Sequence, residues 1–376
     1  MAIEGSSSAN TANGTDADQL SSQGGKPDIV ERYFIQQLNP VTHQVLKVEE
    51  VDQTTGDRKE LGLFDLPNMH RVMVRDHVRT DSFRRALFAA VNEGDVVLDI
   101  GAGSGILSLF AAQAGASKVY AVDPSPVVGL ARELIALNDV QRTVEVVQEK
   151  IEDVQLPVKV DVIVSEWLGV YGVDENMLGS VLLARDRWLK PGGRLIPEQV
   201  TAWLAPVLSG VRIDTEFFHS SPYGLDLALL SESSVHELMI FRNVFSGNDV
   251  QAEPQAMWTT DPYRFPVEEA ALPFEASLTF TFERQARVNA LVAWFSAELG
   301  NGLVLSNAPG QAPTSWGQFP FPLERTVELE PGAEMAAQFT SLPAGPGYCH
   351  QAWSARVGHG PWEHHGTNQP TGSLAG

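Results

Sequence analysis

The chain is 376 residues long and 43% hydrophobic, so it can form about two domains with buried cores. Its 26 Lys and Arg residues against 47 Asp and Glu residues give a net charge of −21. A surface of this charge repels nucleic acid and anionic membranes and attracts cationic partners, and the alternative is that it serves only solubility. One cysteine, Cys349, cannot form an internal disulfide or a cysteine-rich zinc site, and no run approaches about 18 apolar residues, so we expect no metal site and no membrane span.

The N-terminal region divides at about residue 28. Residues 1–27 are rich in Ser, Ala, Gly and Asn, which predicts a disordered tail, and nothing in them resembles a signal peptide, so we expect a cytoplasmic protein. Residues 28–92 predict a lid and helical segment. Partial alternation over 41–51 suggests a strand pair closed by a turn at 55–57, and apolar residues at spacings of three and four over 67–90 predict a helix.

Strands and helices alternate over residues 93–196. The predicted strands are Val96–Ile100, Lys118–Asp123, Val144–Gln148 and Val160–Ser165, and the predicted helices are Ile106–Ala114, Val127–Leu137 and Met177–Trp188. This alternation predicts an α/β domain with a parallel, doubly wound sheet, whose ligand lies at the carboxyl ends of the strands.

The pattern changes after Ile196-Pro197. Residues 197–358 carry most of the prolines and short alternating apolar runs, which predict a mostly antiparallel sheet or barrel. Residues 359–376 are polar and rich in His and Gly, so we expect a flexible tail. His364 and His365 lack the accompanying carboxylate spacing of a metal site.

A glycine-rich loop follows the first strand of the α/β domain. Asp99 is followed by Gly101, Gly103 and Gly105, whereas a dinucleotide site needs a glycine where Ile106 stands, and no phosphate-loop Gly-Lys-Ser/Thr follows. An acid at the strand end and alternate glycines are typical of S-adenosylmethionine sites, because the backbone can turn tightly beside the ligand. Asp123 ends the next strand and is placed for the ribose hydroxyls, and Glu152, after the third strand, could face the adenine.

Two glutamates flank the loop after the fourth strand. Glu166 and Glu175 bracket a glycine-containing segment at the same edge of the sheet. Two carboxylates around one small site suit a planar cation with several N–H donors, and a guanidinium has that fork. Alternatively, Glu166 caps a helix or pairs with a surface arginine.

With these two glutamates and several further motifs, the chain resembles the protein arginine methyltransferases from about Met69 to Glu330. The resemblance is carried by residues 73–80, the glycine loop, and residues 166–177, 184–188, 223–226, 290–295 and 314–316. It implies a Rossmann-like domain that binds S-adenosylmethionine and releases S-adenosylhomocysteine, followed by a β-barrel domain with a dimerisation arm at about 208–238, and hence a head-to-tail homodimer.

The same resemblance implies roles for individual residues. Arg79 would pair with the carboxylate of the cofactor, which Asp99, Gly101, Gly103, Asp123 and Glu152 would also hold. Glu166 and Glu175 would hold the guanidinium as catalytic residues, with Met73, Met177, Trp316 and Asp76 on the substrate side. Core packing for the two methionines and a plain surface ion pair for Arg79 are the alternatives.

Two departures from the family pattern lie on the substrate side. The region around residues 60–64 lacks both tyrosines of the family's Tyr-Phe-x-x-Tyr motif, and Ser315 stands where the family has a histidine that would pair with Asp76. The expected reaction is methyl transfer to a guanidino nitrogen, and the departures favour free L-arginine, as in natural-product pathways such as streptozotocin biosynthesis. Alternatives are protein arginine, a small substrate without a guanidino group, and a silent dimeric scaffold.

Overall fold

The computed structural model describes residues 65–209, 220–227, 244–345 and 348–366, together with the backbone of three strands before residue 62. The chain divides into two compact units, residues 1–61 and 62–376. In the first unit, β1 (Arg32–Leu38), β2 (Val45–Asp52) and β3 (Arg58–Leu61) form an antiparallel sheet in the order β1-β2-β3. The predicted turn at 55–57 falls between β2 and β3, outside the described residues.

The second unit begins with two helices where the sequence predicted one. Helix α1 (Pro67–Arg75) ends at Asp76, whose backbone is extended, and α2 (His77–Ala90) begins directly after it. The Asp76 carboxylate accepts a hydrogen bond from the backbone N–H of Arg79 at 2.9 Å. An aspartate in this position satisfies a free N–H of the first helical turn, which explains why the single predicted helix is wrong at this residue.

A five-stranded parallel sheet follows, which confirms the predicted α/β domain. Its elements are β4 (Val96–Ile100), α3 (Ile106–Gln113), β5 (Lys118–Val122), α4 (Val128–Leu137), β6 (Val144–Val147), β7 (Val160–Ser165), α5 (Leu178–Trp188) and β8 (Leu189–Ile196). The strand order is β6-β5-β4-β7-β8. The chain builds outward from β4 in both directions, so the loops after β4 and β7 meet at the switch point where such sheets bind ligands.

The remaining strands are all antiparallel. They are β9 (Gln199–Val207), β10 (Gln255–Thr260), β11 (Phe274–Thr281), β12 (Ala286–Glu298), β13 (Val304–Ser306), β14 (Phe319–Leu329), β15 (Glu334–Gly345), β16 (Tyr348–Val357) and β17 (Glu363–Gly366). One sheet has the order β10-β9-β12-β13 with β14 also on β12, and the other has the order β11-β15-β16-β17. Phe321 of the first sheet packs edge-on against Phe339 and Trp353 of the second, so an aromatic core joins them into one antiparallel domain.

The C-terminal segment is ordered further than the sequence predicted. Strand β17 pairs with β16, and His365 is buried with its ring 5.6 Å from that of Trp353. The expectation of a flexible tail from residue 359 is therefore wrong for residues 363–366, because the pairing and the buried ring hold them. The predicted tail at 1–27 and the last ten residues lie outside the described residues, as does the predicted arm at 208–238 apart from residues 208–209 and 220–227.

The described helices include none that is long and apolar enough to cross a membrane. Within the part of the chain that the structure describes, no group of three or more His, Cys, Asp or Glu side chains could hold a metal ion.

Candidate active site

A cavity of about 910 Å³ lies at the carboxyl edge of the parallel sheet. Its walls come from α1, the start of α2, the loops after β4, β5, β6 and β7, and the end of β15. The predicted site residues that line it are Met73, Arg79, Gly101, Gly103, Asp123, Glu152, Glu166, Glu175 and Met177. The topology thus brings most of the predicted residues to one cavity.

The glycine loop leaves little room for a side chain at Gly101 or Gly103. Gly101 has a φ of +71° and Gly103 a φ of +53°, a region that side-chain-bearing residues rarely adopt. A Cβ atom on Gly103 would lie 2.6 Å from Cε1 of His70, and one on Gly101 would lie 3.0 Å from the terminal methyl of Met177. Glycine is therefore required at both positions for the loop to lie this close to the cavity wall.

Asp99 lies beneath the glycine loop and does not line the cavity. It is completely buried, and its Oδ2 accepts a hydrogen bond from the Ser108 hydroxyl at 2.7 Å, while Oδ1 has no partner among the described residues. Burial, with a contribution from the nearby Asp123 carboxylate, raises its pKa to about 7 against the hydrogen bond from Ser108. Asp99 is thus placed to support the loop from below.

Asp123 and Glu152 follow β5 and β6, so they line the cavity on the opposite side of β4 from the loop after β7 that carries the glutamates. Asp123 accepts hydrogen bonds from the backbone N–H groups of Gly103 and Ser125, both at 2.8 Å, so its carboxylate is held in a fixed orientation. Glu152 accepts one from the Ser180 hydroxyl at 2.7 Å. Carboxylates so placed can accept hydrogen bonds from the hydroxyl and amino groups of a nucleoside.

Arg79 and Glu166 form a buried ion pair in the same cavity. Nε and Nη2 of Arg79 donate to Oε2 of Glu166 at 3.0 and 2.8 Å, and the side chains are 9% and 8% exposed. Oε1 of Glu166 accepts from the backbone N–H of Leu168 at 3.1 Å. The guanidinium carbon of Arg79 also lies 5.9 Å from the ring centre of Trp316. The partner of Glu166 is therefore an arginine of this cavity, not one on the surface.

The glutamate loop, residues 166–177, contains a further carboxylate that is partly buried. Asp174 accepts hydrogen bonds from the backbone N–H groups of Val170 and Tyr171 at 2.9 and 3.0 Å. Burial raises its pKa to about 6, although these backbone donors lower it. Asp174 thus closes the turn that carries Glu175 to the cavity.

The remaining two substrate-side residues, Asp76 and Trp316, do not line this cavity. Asp76 Oδ2 accepts a hydrogen bond from the backbone N–H of Ser315 at 2.6 Å. Asp76 lines a second, open cavity of about 430 Å³, which also contacts His77 and Ser315. Trp316 is buried edge-on against Phe295, with ring centres 5.0 Å apart. The link between Asp76 and the loop at 314–316 therefore persists with serine in place of the family's histidine.

Several lining residues were not singled out from the sequence, and three polar ones are of interest. His70 and Asn176 line the cavity, as does Asp65 just before α1. His70 could have been found, because it precedes Met73 by three residues and shares its helical face. Asn176 lies between two predicted site residues and has no signal of its own.

The cavity fits S-adenosylmethionine in size and in chemistry. Its volume lies in the range that encloses small ligands. The glycine loop forms a cradle that a Cβ would fill, Asp123 and Glu152 offer acceptors, and Arg79 offers donors. These are the groups that a nucleoside and an amino-acid carboxylate require.

Two family models match the chain. Residues 76–182 match the model of ribosomal protein L11 methyltransferase, and residues 212–346 match the arginine methyltransferase oligomerization subdomain.

Relatives with assigned names cover most of the chain. It is 32% identical over 315 residues to protein arginine N-methyltransferase 6 of Danio rerio, covering 81% of this chain and 90% of the relative. It is 34% identical over 299 residues to probable protein arginine N-methyltransferase 6.2 of Oryza sativa subsp. indica, covering 70% and 75%.

Solved structures share the fold. The chain is similar to the Trypanosoma brucei PRMT1 enzyme-prozyme heterotetrameric complex with AdoHcy, with a TM-score of 0.72, 26% identity, and coverage of 81% of this chain and 99% of the other. It is also similar to Arabidopsis thaliana protein arginine methyltransferase 10, in an open conformation, with a TM-score of 0.69, 28% identity and the same coverage.

Proposed function

The chain belongs to the protein arginine methyltransferase family, and we propose that it methylates the guanidino nitrogens of arginine residues in proteins. It is an arginine methyltransferase that depends on S-adenosylmethionine. The preference for free L-arginine drawn from the sequence has no support, since the relatives are named as protein arginine methyltransferases. The observation that carries the proposal is a single cavity lined both by the pair of glutamates and by the acceptors that a nucleoside requires.

We assign the cofactor-binding role to the glycine loop and the carboxylates around it. Gly101 and Gly103 let the backbone approach the ligand, and Asp123 and Glu152 accept hydrogen bonds from its ribose and adenine. Two of the five N–H donors of Arg79 are engaged by Glu166, so others are available for the ligand's carboxylate. When bound, S-adenosylmethionine supplies the methyl group on a positively charged sulfur. Asp99 supports the loop from beneath.

Glu166 and Glu175 are the proposed catalytic residues. A carboxylate has about four acceptor positions, and three on Glu166 are engaged by Arg79 and Leu168, which leaves one on Oε1 for a guanidinium N–H. Because these contacts fix Glu166 before the substrate arrives, the glutamates orient the plane of the guanidinium at little entropic cost. They also draw positive charge toward the nitrogens that they contact, so the lone pair of the remaining nitrogen can face the methyl group.

Met73, Met177 and Asp76 have proposed roles on the side of the site that binds the methyl acceptor. Met73 and Met177 wall the acceptor site, and Trp316 packs behind Arg79. Asp76 fixes the start of α2, which carries Arg79. Glu175 or water takes the proton that the guanidinium loses, so a histidine at position 315 is not required.

We also propose that the enzyme acts as a homodimer. Residues 212–346 match an oligomerization subdomain, and this range contains the described arm segment 220–227. In that segment Tyr223 is 87% exposed and Leu225 57% exposed, so both present surface that an interface could cover. Sedimentation velocity of the wild type and a Tyr223→Asp/Leu225→Asp variant tests this: loss of a dimer in the variant supports it, and a monomeric wild type contradicts it.

The substrate is tested by offering S-adenosylmethionine with an Arg/Gly-rich peptide or with free L-arginine in separate reactions. The mass of one or two added methyl groups on the peptide, with none on free arginine, supports the proposal. Methylation of free arginine alone would overturn it. If neither acceptor reacts while S-adenosylhomocysteine binds, as measured by calorimetry, the proposed guanidino acceptor is wrong.

A further inference from the structure

Asn176 links the acceptor end of the cavity to the antiparallel domain. Its side-chain amide donates a hydrogen bond to the backbone carbonyl of Gly345, the last residue of β15, at 2.8 Å. Asn176 lies between Glu175 and Met177 in the chain, and all four residues line the cavity. One hydrogen bond thus connects the end of a strand to the residues on either side of Asn176.

The backbone at Asn176 is also unusual. Its φ is +51°, in the left-handed region, and its N–H donates to the carbonyl of Val173 at 3.0 Å. Asparagine tolerates this conformation better than most side-chain-bearing residues. The turn and the amide bond together determine where Glu175 and Met177 meet the cavity.

Other contacts hold the middle of the glutamate loop. The Tyr171 hydroxyl contacts the hydroxyl of Ser341 and accepts from the amide of Gln351, both at 3.0 Å, and the amide of Asn307 donates to the carbonyl of Val170 at 2.8 Å. These contacts act on residues 170–171, and the Cys349 thiol of β16 donates to the carbonyl of Val173 at 3.5 Å, so all of them act before Glu175. Loss of the Asn176 amide would therefore leave the loop docked but release its end beside the catalytic glutamate.

We propose that Asn176 is a positioning residue, which fixes Glu175 and Met177 through its hydrogen bond to the end of β15. By this bond the antiparallel domain sets the geometry of the acceptor site. The inference rests on the proposed function of Glu175. A shift of about 1 Å at a group that orients a substrate can lower the rate about 100-fold, so a single bond at this place can matter.

The test separates the amide from the backbone conformation. Asn176→Gly permits the left-handed φ but lacks the amide, and Asn176→Asp keeps the shape but cannot donate. Asn301 is a matched control, since it has a φ of +52°, donates its amide to the carbonyl of Ala89 at 3.5 Å and does not line the cavity. We expect kcat for peptide methylation to fall about tenfold or more in both Asn176 variants, with KM and the affinity for S-adenosylhomocysteine within about threefold of wild type, and no fall for Asn301→Gly.

Hydrogen exchange measured by mass spectrometry gives a readout that needs no substrate. Faster exchange in peptides covering 172–178 and 340–350 of Asn176→Gly, with unchanged exchange in the glycine loop, supports the inference. Unchanged exchange in both peptides overturns it, as does a kcat of Asn176→Gly above about half that of wild type. If the wild type methylates no arginine acceptor, the proposed function fails, and the exchange result still decides whether the bond holds the loop end.

Discussion

Glu166 accepts two hydrogen bonds on a single oxygen from Arg79, one from Nε at 3.0 Å and one from Nη2 at 2.8 Å. The two residues are 87 positions apart, and the pair joins the first turn of α2 to the end of β7. Both side chains are more than nine-tenths buried. A proposed catalytic glutamate is therefore oriented, and its charge compensated, by the residue proposed to hold the cofactor's carboxylate.

Glu166→Gln tests this relationship. We expect methyl transfer to fall at least about 100-fold, because the guanidinium loses a charged acceptor. The free energy of unfolding should fall by about 3 kcal/mol, because the buried Arg79 keeps its charge without a carboxylate. Steady-state kinetics and denaturant unfolding measure the two effects.

A surface pair provides the control for Glu166→Gln. Lys118 and Glu145 lie 2.7 Å apart with side chains 32% and 53% exposed, so Glu145→Gln should change the stability by less than about 1 kcal/mol and leave the activity intact. An Arg79→Met/Glu166→Met double variant should regain stability while it stays inactive. Normal turnover by Glu166→Gln would rule out the guanidinium role and favour an acceptor of another kind.

The pH dependence of stability should carry a contribution from Asp99. Burial raises the pKa of Asp99 from an ordinary value of 3.8 to about 7, so between these values the folded protein keeps a proton that the unfolded chain has lost. Its contribution to stability is complete below about pH 4 and is lost as the pH rises to about 7. Asp99→Asn, a neutral mimic, should become more stable relative to wild type across this window, by at most about 1.4 kcal/mol per pH unit, and the difference should be constant above it.

Asp161 should show the opposite sign. Burial raises the pKa of Asp161, but hydrogen bonds from Lys190 and from the backbone N–H of Val96 outweigh it, so the pKa lies below the ordinary value. Its contribution is present above the unfolded value and is lost as the pH falls through the folded pKa. Asp161→Asn should thus lose stability relative to wild type at neutral pH and recover it in acid. Chemical denaturation from pH 3 to pH 8 measures both variants, and parallel curves for Asp99→Asn and wild type would exclude a raised pKa.

Local sequence patterns were enough to predict the parts of the site that lie at the ends of the parallel strands. The strand ends after β4, β5 and β7 lie at one edge because parallel strands share their direction, so Gly101, Asp123 and Glu166 meet as expected. The sequence predicted that Asp99 contacts the cofactor. In the structure Asp99 is instead buried beneath the glycine loop, where it accepts a hydrogen bond from Ser108 of α3.

Long-range pairing could not be predicted in the same way. Arg79 could equally have paired with a surface acid, and the docking of the glutamate loop depends on Ser341 and Gln351, about 170 or more positions away. Such partners are fixed only when the antiparallel domain folds against the loop. The helix break at Asp76 was also missed, because the apolar spacing continues through it while its carboxylate begins a new helix.

Gly103→Ala should weaken cofactor binding. The added Cβ would lie 2.6 Å from the His70 ring, so either the loop or the ring must move, and both line the cavity. We expect the affinity for S-adenosylhomocysteine, measured by calorimetry, to fall about tenfold or more. Gly332→Ala is the control, because Gly332 has a φ of +86° but open space around it, so it should lose about 1 kcal/mol of stability and no affinity. Equal affinities for the two variants would mean that the loop does not contact the cofactor.

Asp76→Ala should reduce both stability and activity, even though serine replaces the family's histidine at position 315. One Asp76 oxygen accepts from the backbone N–H of Arg79 at 2.9 Å and the other from that of Ser315 at 2.6 Å, so both contacts are independent of the side chain at 315. Losing them should lower the free energy of unfolding by about 2 kcal/mol, and kcat should fall because α2 carries Arg79. Asp76→Asn keeps one acceptor oxygen and should lie between wild type and Asp76→Ala.

The control for Asp76 lies on the same helix. Asp81 is 66% exposed and 4.0 Å from His77, so Asp81→Ala should change the stability by less than about 0.5 kcal/mol. Thermal unfolding and peptide methylation compare the variants. If Asp76→Ala matched Asp81→Ala in both, the aspartate would not fix Arg79. If Ser315→His were much more active than a slow wild type, a side-chain histidine at this position would be required after all. The structure argues against both outcomes, because backbone donors already engage both Asp76 oxygens.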